Sequence, residues 1–312
     1  MIGKPIFVLG SFVVACSAKV ARFPRPGESL AAETVTIEPG GKGLNQAIMA
    51  RRLGAAVDGL LAVGDDLAAT FAPPALERAG LPPSMLVRLA GSTGSGIGFT
   101  DAGGETCLAV ASGANLALTA GHVQERAQAI ADAALVMAQF EISDAPIEAA
   151  FRLARQAGVP TLLNPSPYRA IPAAILALTS ILIINETEAR GLATALALEP
   201  DGPTEPKRFA RELGPALLER GPRLVVLTRG AAGALAITPN APLVMQAGFP
   251  VEAIDSLGAG DAFATTLGVH LAMGRSLPDA LRDAAAAGAL TTTRHGVFDA
   301  LPTTDAIATM SR

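Results

Sequence analysis

The sequence predicts an α/β protein with a doubly wound, mostly parallel sheet that is flanked by helices and carries a small β lid. Short apolar runs alternate with helical patterns through much of the 312 residues, which is typical of parallel βαβ units. Half of the residues are hydrophobic and only 17% are charged, which fits a well-buried sheet covered by helices. A stretch rich in glycine, residues 91–113, instead predicts a hairpin outside this pattern.

Composition and charge exclude several classes of protein. The net charge of −4 provides no basic face for nucleic acid, and no apolar run reaches the ~18 residues that a membrane span requires. The N-terminus lacks the pattern of a signal peptide. Cys16 and Cys107 are too few for a disulfide framework, and the three histidines have no metal-ligand spacing. We therefore expect a reduced, cytoplasmic protein.

The N-terminal part predicts a buried strand, edge strands and a helix that begins at a cluster of glycines. Residues 5–10 predict the buried strand, but Gly10 stands alone where a dinucleotide-binding fold needs three spaced glycines. Apolar and polar residues alternate loosely over residues 12–38, which is typical of edge strands. The segment 39–47, Pro-Gly-Gly-Lys-Gly-Leu-Asn-Gln-Ala, then opens a helix that ends near Leu53. The segment is either a tight turn before a helix or a close approach of the backbone to a ligand. It is not a Walker A loop, because Lys42 is not followed by Ser or Thr.

The middle of the chain supplies most of the predicted βαβ units. A second buried strand is predicted at 60–63, and the hairpin at 91–113, with its turn at 101–104, is either a flexible lid or a weak edge. Further strands are predicted at 135–139, 161–163, 181–184 and 224–228, with helices near 145–157 and 204–220.

Polar residues recur where these strands end. Ligands of such sheets bind beyond the carboxyl ends of the strands. Each polar residue is individually explained as a helix cap or a solvated loop residue, and only their recurrence favours a site. The residues concerned are Gln139, Glu141, Asn164, Asn185, Glu186, Glu188, Thr228 and Gly230.

The segment 254–274 is the strongest functional signal. A turn of small residues, Gly258, Ala259 and Gly260, precedes an apolar helix that has Asp261 in its first turn. The first amides of a helix lack intrahelical partners and attract an anion, and small residues allow a phosphate to approach the backbone. A carboxylate beside that turn can accept a proton from an attacking hydroxyl. The alternative is that Asp261 only caps the helix.

Taken together, these segments resemble the ribokinase family, the phosphofructokinase-B-type carbohydrate kinases. The segment 40–47 resembles the first signature of the family, and the segment 255–261, Asp-Ser-Leu-Gly-Ala-Gly-Asp, resembles the second. Shorter segments that follow the family order are 113–115, 163–167, 185–189, 228–233 and 293–296. The resemblance implies a ribokinase-like fold and an ATP-dependent phosphotransferase that acts on a sugar alcohol group, with ribose as the default substrate.

The resemblance also implies a role for each matching residue. Asp261 would be the base, and the amides around Gly258, Ala259 and Gly260 would form an anion hole for the γ-phosphoryl group. The implied sugar contacts are Gly41, Lys42, Asn45 and Glu141. Asn185 would act near the phosphates, Glu188 would contact Mg²⁺ through water, and Thr228, Gly230 and Gly233 would lie along ATP. A potassium site is implied at Asp255 and at backbone near Leu257, Thr291, Arg294 and Gly296, for which the alternative is an Asp255–Arg294 ion pair.

The family pattern further implies a single kinase domain over residues 1–312 that dimerises through its lid. The lid strands would be inserted at about 12–38 and 92–109. ATP and Mg²⁺ would be required, and K⁺ would activate.

One departure bears on the substrate. Ribokinases have an Asn-x-Asp segment after the first strand, and an ungapped comparison puts these two positions on Val13 and Ala15. A carboxylate that holds sugar hydroxyls is therefore replaced by a methyl group. Ser17 or Lys19 is a candidate to contact those hydroxyls in its place. A nucleoside kinase, with Phe12 and Phe99 lining a slot for the base, is the second hypothesis. A non-catalytic sugar sensor is the third, but such a protein is expected to lack the base or the anion hole.

Overall fold

The protein is described by a computed structural model that covers residues 3–103, 105–199, 202–296 and 298–312. Within these residues the strands are β1 (Ile6–Ser11), β2 (Val13–Lys19), β3 (Thr34–Gly40), β4 (Val57–Val63), β5 (Leu86–Arg88), β6 (Gly94–Thr100), β7 (Thr106–Ala111), β8 (Leu135–Gln139), β9 (Thr161–Asn164), β10 (Ile181–Asn185), β11 (Leu224–Thr228), β12 (Ala234–Ile237) and β13 (Val244–Gln246). No helix in the described part of the chain is long and apolar enough to span a membrane.

The helices within the same residues are α1 (Lys42–Arg52), α2 (Ala72–Ala79), α3 (Ala120–Gln124), α4 (Ala127–Ala131), α5 (Asp144–Gln156), α6 (Ala173–Leu178), α7 (Glu186–Ala195), α8 (Pro206–Arg208), α9 (Gly214–Leu218), α10 (Ala259–Ala272), α11 (Leu277–Thr291) and α12 (Thr304–Met310). Short 3₁₀ turns lie at Leu67–Phe71, Pro83–Met85, Gly113–Ala117 and Gly230–Ala232.

The main sheet has nine strands in the order β13-β12-β11-β10-β9-β8-β1-β4-β5. From β11 to β5 neighbouring strands are parallel, whereas β12 and β13 pair antiparallel at one edge. The mostly parallel sheet of the predicted fold class is therefore confirmed.

Alternation along β1 shows why the sheet is covered on both faces. Ile6 and Val8 belong to one hydrophobic cluster, and Phe7 and Leu9 belong to a second. Successive side chains of a strand point to opposite faces, so these two clusters are the two sides of the sheet. The first side packs against α1, α10 and α11, and the second packs against α5 and α7.

The lid is a separate four-stranded sheet in the order β3-β2-β6-β7. It is attached to the main sheet at the carboxyl end of β1, because β2 begins two residues after β1 ends and β3 ends two residues before α1. The predicted turn at 101–104 joins β6 and β7, and its Gly104 lies outside the described residues.

The helix predicted near 204–220 is interrupted. A short π-helical segment, Phe209–Leu213, separates α8 from α9. Pro215 follows at the start of α9 and has no N–H to donate to the preceding turn, which explains why a regular α-helix does not continue through this segment.

Candidate active site

Asp261 lies in the first turn of α10 and is buried, with 2% of its surface exposed. Its Oδ2 atom accepts a hydrogen bond of 2.8 Å from the Asn45 side chain amide, and Nζ of Lys42 lies 3.5 Å from its Oδ1 atom. Two residues of the first signature segment thus contact the carboxylate of the second signature segment. Asn45 and Asp261 are 216 residues apart in the sequence. The Nδ2 atom of Asn45 therefore holds the carboxylate of Asp261 in this structure, and the sugar contact of Asn45 stays a prediction.

Lys42 is surrounded by carboxylates. Burial acts to lower the pKa of its ammonium group, but Asp261, Glu141 and Glu188 raise it by more, so the net shift is upward. The lysine therefore remains protonated and supplies a fixed positive charge between three acidic side chains.

Glu141 is held at the start of α1. Its Oε2 atom accepts a 2.9 Å hydrogen bond from the Lys42 backbone amide and a second from the hydroxyl of Ser11. That hydroxyl in turn accepts from the Gly43 amide at 3.3 Å. Sequence reasoning missed Ser11, although its position at the carboxyl end of β1 was a signal of the kind used for the later strands.

Two glycines allow the backbone of the site to take its shape. Gly41 has φ +99°, and a Cβ there would lie 3.0 Å from the carbonyl oxygen of Ser11 and from the amide nitrogen of Val13. Gly258 has φ +79° in the left-handed region, directly before α10. A residue with a Cβ would be strained at either position.

The turn before α10 is open on one side. Apart from the two adjoining residues and the backbone of the helix itself, no described atom lies within 4 Å of the position that a Cβ on Gly260 would take, so space remains beside the first turn of the helix. Of the three predicted amides, that of Ala259 already donates to the carbonyl of Ser256 at 3.3 Å. The anion hole stays a prediction, and in this structure the turn itself uses one of its three donors.

Asn185 and Glu188 form a reciprocal cap at the start of α7. Glu188 accepts from both the backbone and the side chain amide of Asn185, each at 2.9 Å, and its own amide donates to Asn185 Oδ1. Burial raises the pKa of Glu188, against the lowering effect of Asn185 and of Lys42. The two residues therefore do cap the helix, as the alternative explanation predicted. Glu188 also lies near enough to Lys42 to raise the pKa of the lysine.

The residues predicted to lie along ATP occupy the ends of two neighbouring strands. Thr228 pairs with Asn185 in register, and its hydroxyl donates to the carbonyl of Ile184 at 3.3 Å. Gly230 begins a 3₁₀ turn. Gly233 has φ +89°, and a Cβ there would lie 2.0 Å from the Gln246 carbonyl oxygen, so packing against the chain after β13 already requires a glycine.

Asp255 joins two loops through their backbones. Its oxygens accept from the amides of Leu257 at 3.0 Å and Gly296 at 3.1 Å, and its own amide donates to the carbonyl of Thr292. The alternative Asp255–Arg294 ion pair is not formed, because the guanidinium of Arg294 instead donates to the Asp299 carbonyl. Thr291 closes α11, and its hydroxyl bonds to the Ala287 carbonyl.

The two residues suggested as substitutes for a carboxylate at position 15 lie farther out on the lid. Lys19 is at the end of β2 and pairs with Glu33 at 3.2 Å in a largely exposed contact. Ser17 is exposed and lies two pairs beyond Ala15 along β2. Neither approaches Asp261 through any described hydrogen bond or ion pair. Among the described residues, no three acidic, histidine or cysteine side chains are grouped to hold a metal ion.

The chain is similar to known carbohydrate kinases over nearly its whole length. The model of the pfkB family of carbohydrate kinases matches residues 4–304. A ribokinase of Staphylococcus aureus is 31% identical over 300 residues, which cover 95% of this chain and 96% of that protein. A deoxyribokinase of Salmonella typhi is 28% identical over 95% of each chain.

A bifunctional ribokinase/ribose-5-phosphate isomerase A of Fructilactobacillus sanfranciscensis is 33% identical over 307 residues. The match covers 97% of this chain and 55% of that protein, so the chain spans about half of its length. The structure of Arabidopsis thaliana ribokinase complexed with ribose and ATP superposes with a TM-score of 0.88 over 99% of each chain, at 24% identity. This structural likeness confirms the predicted fold.

Proposed function

We propose, from the premise that the chain belongs to the pfkB family of carbohydrate kinases, that it transfers the γ-phosphoryl group of ATP to a hydroxyl of a pentose or a closely related sugar. The chain is a phosphotransferase with an alcohol group as acceptor. The observation that carries the assignment of its site is the contact of Asp261 with Lys42 and Asn45 at the open turn before α10.

Asp261 is proposed as the general base. Asn45 occupies its Oδ2 atom, and Oδ1, next to Lys42, accepts no hydrogen bond from any residue that the structure describes. Oδ1 would accept the proton of the sugar hydroxyl while the hydroxyl oxygen forms its bond to the γ-phosphorus, and ADP leaves with the electrons of the broken bond. Lys42 and the free amides of the turn would stabilise the charge that develops on the transferred group.

Magnesium and potassium are proposed as the metal ions. Magnesium bound with ATP would neutralise phosphate charge. Both oxygens of Glu188 already accept a hydrogen bond from Asn185, which suits contact with Mg²⁺ through water rather than direct ligation. Asp255 holds Leu257 and Gly296 by their amides, and this conformation fits a site of backbone carbonyls for K⁺.

Ribose or a deoxyribose is the proposed substrate class, because the relatives include ribokinases and deoxyribokinases. The two aromatic residues suggested for a nucleoside base do not support the second hypothesis. Phe12 is fully buried in the hydrophobic core, and Phe99 lies on the same face of the lid as the exposed Ile97. The base and the glycine turn are both present, which also argues against a non-catalytic sensor.

We further propose a cytoplasmic enzyme that functions as one domain and dimerises through its lid. Both cysteines are unpaired, in keeping with a reducing compartment.

A coupled assay of ADP release over pentoses, deoxypentoses, hexoses and nucleosides tests the function. We predict that Asp261→Asn lowers kcat by about 10²- to 10⁴-fold, the range for loss of a general base. Asp283→Asn is the matched control, since Asp283 is also buried but packs against His270 and Arg275. Near-normal turnover of a folded Asp261→Asn enzyme would refute the assignment, as would the absence of any sugar substrate.

A further inference from the structure

One face of the lid is turned toward the loop that Asp255 holds. Glu38 on β3 extends its carboxylate across this gap, with its Oε2 atom 3.0 Å from the position that a Cβ on Gly296 would take. Gly96 and Gly98 on β6 are buried on the same face, whereas Ile97 between them is exposed. Glu38 thus lies on the side of the lid that faces this loop, which we call the inner face, and the opposite side, which carries the exposed Ile97, is the outer face.

Glu38 and Ala15 are direct neighbours on this inner face. Ala15 pairs with Glu38 on one side and with Gly96 on the other, so the three residues form one row across the lid. Opposed residues of an antiparallel pair have Cβ atoms about 5 Å apart, and a glutamate side chain spans that distance. A carboxylate on β3 can thus reach space that the small side chain of Ala15 leaves open.

Glu38 is the only carboxylate on the inner face among the strand side chains that the structure describes. The other polar side chains on this face are hydroxyls and Lys19. Lys19 lies at the end of β2 and forms an ion pair with Glu33. The carboxylate of Glu38 has no hydrogen bond or ion pair with any described residue, and its side chain is exposed. An ionised carboxylate accepts several hydrogen bonds, so Glu38 offers unused acceptors on the face of the lid that is turned toward the Gly296 loop, which Asp255 connects to the segment before α10.

We propose that Glu38 determines sugar specificity by accepting hydrogen bonds from hydroxyls on the edge of the sugar that faces the lid. The inference rests on the proposed function and deepens it, because it assigns an acceptor for non-reacting hydroxyls. An acceptor is thereby retained although position 15 is alanine, and ribose is not excluded by Ala15 alone.

The pairing with Ala15 also changes what a carboxylate at position 15 would do. In the native chain, Ala15→Asp would place two negative charges directly opposite each other on neighbouring strands, which is destabilising. The informative variant moves the carboxylate from β3 to β2, as Ala15→Asp combined with Glu38→Gln.

The experiment measures kcat/KM for D-ribose and for its 1-, 2- and 3-deoxy analogues, and sugar binding by calorimetry without ATP. Glu38→Gln is compared with the native enzyme, and Glu33→Gln is the matched control because Glu33 is a lid carboxylate bound to Lys19 at the tip. We expect Glu38→Gln to lower kcat/KM for ribose by about 10- to 100-fold, mainly through KM, as the loss of a hydrogen bond to a charged group predicts. Activity on the analogue without the contacted hydroxyl should change less than about twofold.

The swap variant should recover most of the ribose activity that Glu38→Gln loses, and Glu33→Gln should behave as the native enzyme. Equal losses on ribose and on every deoxy analogue, or no loss at all, would overturn the role of Glu38 while leaving the kinase activity established. A native enzyme that phosphorylates none of the sugars would instead refute the proposed function, and the inference with it.

Discussion

At the scale of single residues, the site is organised by pairs that share a hydrogen-bond acceptor. Glu141 accepts hydrogen bonds from the Ser11 hydroxyl and from the Lys42 backbone amide. Asp261 accepts a hydrogen bond from Asn45 on one oxygen, and the ammonium group of Lys42 lies beside the other. Each carboxylate is therefore held in one orientation before substrate arrives. Such pre-arranged acceptors reduce the reorganisation that the reaction requires.

We predict that Ser11→Ala destabilises the protein by about 1–3 kcal/mol and raises KM for the sugar. Ser11 is fully buried, and its loss leaves the Gly43 amide without an acceptor and Glu141 with one donor fewer. Urea unfolding and sugar kinetics measure the two effects. Ser17→Ala, an exposed serine on β2, is the control and should alter stability by less than about 0.5 kcal/mol. Equal behaviour of the two variants would contradict the role given to Ser11.

At the scale of elements, α1 and α10 both begin at the site. Gly41 and Gly258 precede them in backbone conformations that favour glycine, so that both positive helix ends point toward the same cleft. Asp255 then connects the segment before α10 to the loop after α11. The geometry of the glycine turn is consequently coupled to that loop.

Activation by potassium is expected from this coupling. We predict higher kcat in potassium than in sodium or in choline salts at equal ionic strength, because a cation bound by carbonyls of the 291–296 loop would stabilise the turn before α10. Asp255→Asn should abolish the difference between the salts, since it removes the negative charge and keeps an acceptor oxygen. Equal rates of the native enzyme in all three salts would exclude the site.

The packing of α10 on α11 makes stability depend on pH. Burial lowers the pKa of His270 below its ordinary value; Asp283, 2.9 Å from its Nδ1 atom, acts to raise it, and Arg275 acts to lower it. As the pH falls below about 6.5, the unfolded chain binds a proton at His270 while the folded protein resists it, so the free energy of unfolding decreases.

We therefore predict that His270→Gln reduces the loss of stability between pH 7 and pH 5. Urea unfolding at several pH values measures the slope, and His295→Gln is the control because His295 is exposed. Parallel slopes for His270→Gln and the native protein would show that His270 does not titrate in this range.

At the scale of the whole molecule, the two faces of the lid have different chemistry. The inner face carries glycines, hydroxyl side chains, Lys19, Glu38 and one exposed valine, whereas the outer face exposes Val35, Ile37 and Ile97, each by more than half. Ile37 and Ile97 flank Cys16 in one row across three strands. A contiguous exposed apolar surface of this kind indicates a protein interface.

We predict that the protein is a dimer through this outer face and that Ile37→Glu with Ile97→Glu yields monomers. Sedimentation equilibrium measures the change. Val110→Glu is the control, since Val110 is equally exposed but pairs with Gly96 on the inner face. Dimers that persist in the double variant, or native monomers at micromolar concentration, would contradict the prediction.

Local sequence patterns were sufficient for much of the fold. The strand runs at 135–139 and 224–228 coincide with β8 and β11, and the glycine-rich segment at 39–47 does open α1. Such signals are local, because hydrophobic periodicity and helix-start chemistry act within one element. The interrupted helix at 206–218 was missed, since a proline inside a helical pattern admits several outcomes.

The sequence by itself determined the family, the fold class and the position of Asp261 in the first turn of α10. Only the tertiary structure decided that Asn45 holds Asp261, that Ser11 contacts Glu141 from 130 residues away, and that Phe12 is buried in the core. It also placed Glu38 opposite Ala15, because strand register, which no local pattern specifies in a half-exposed lid, sets which side chains share a face. Long-range contacts of this kind depend on how elements pack, whereas motifs depend only on their own residues.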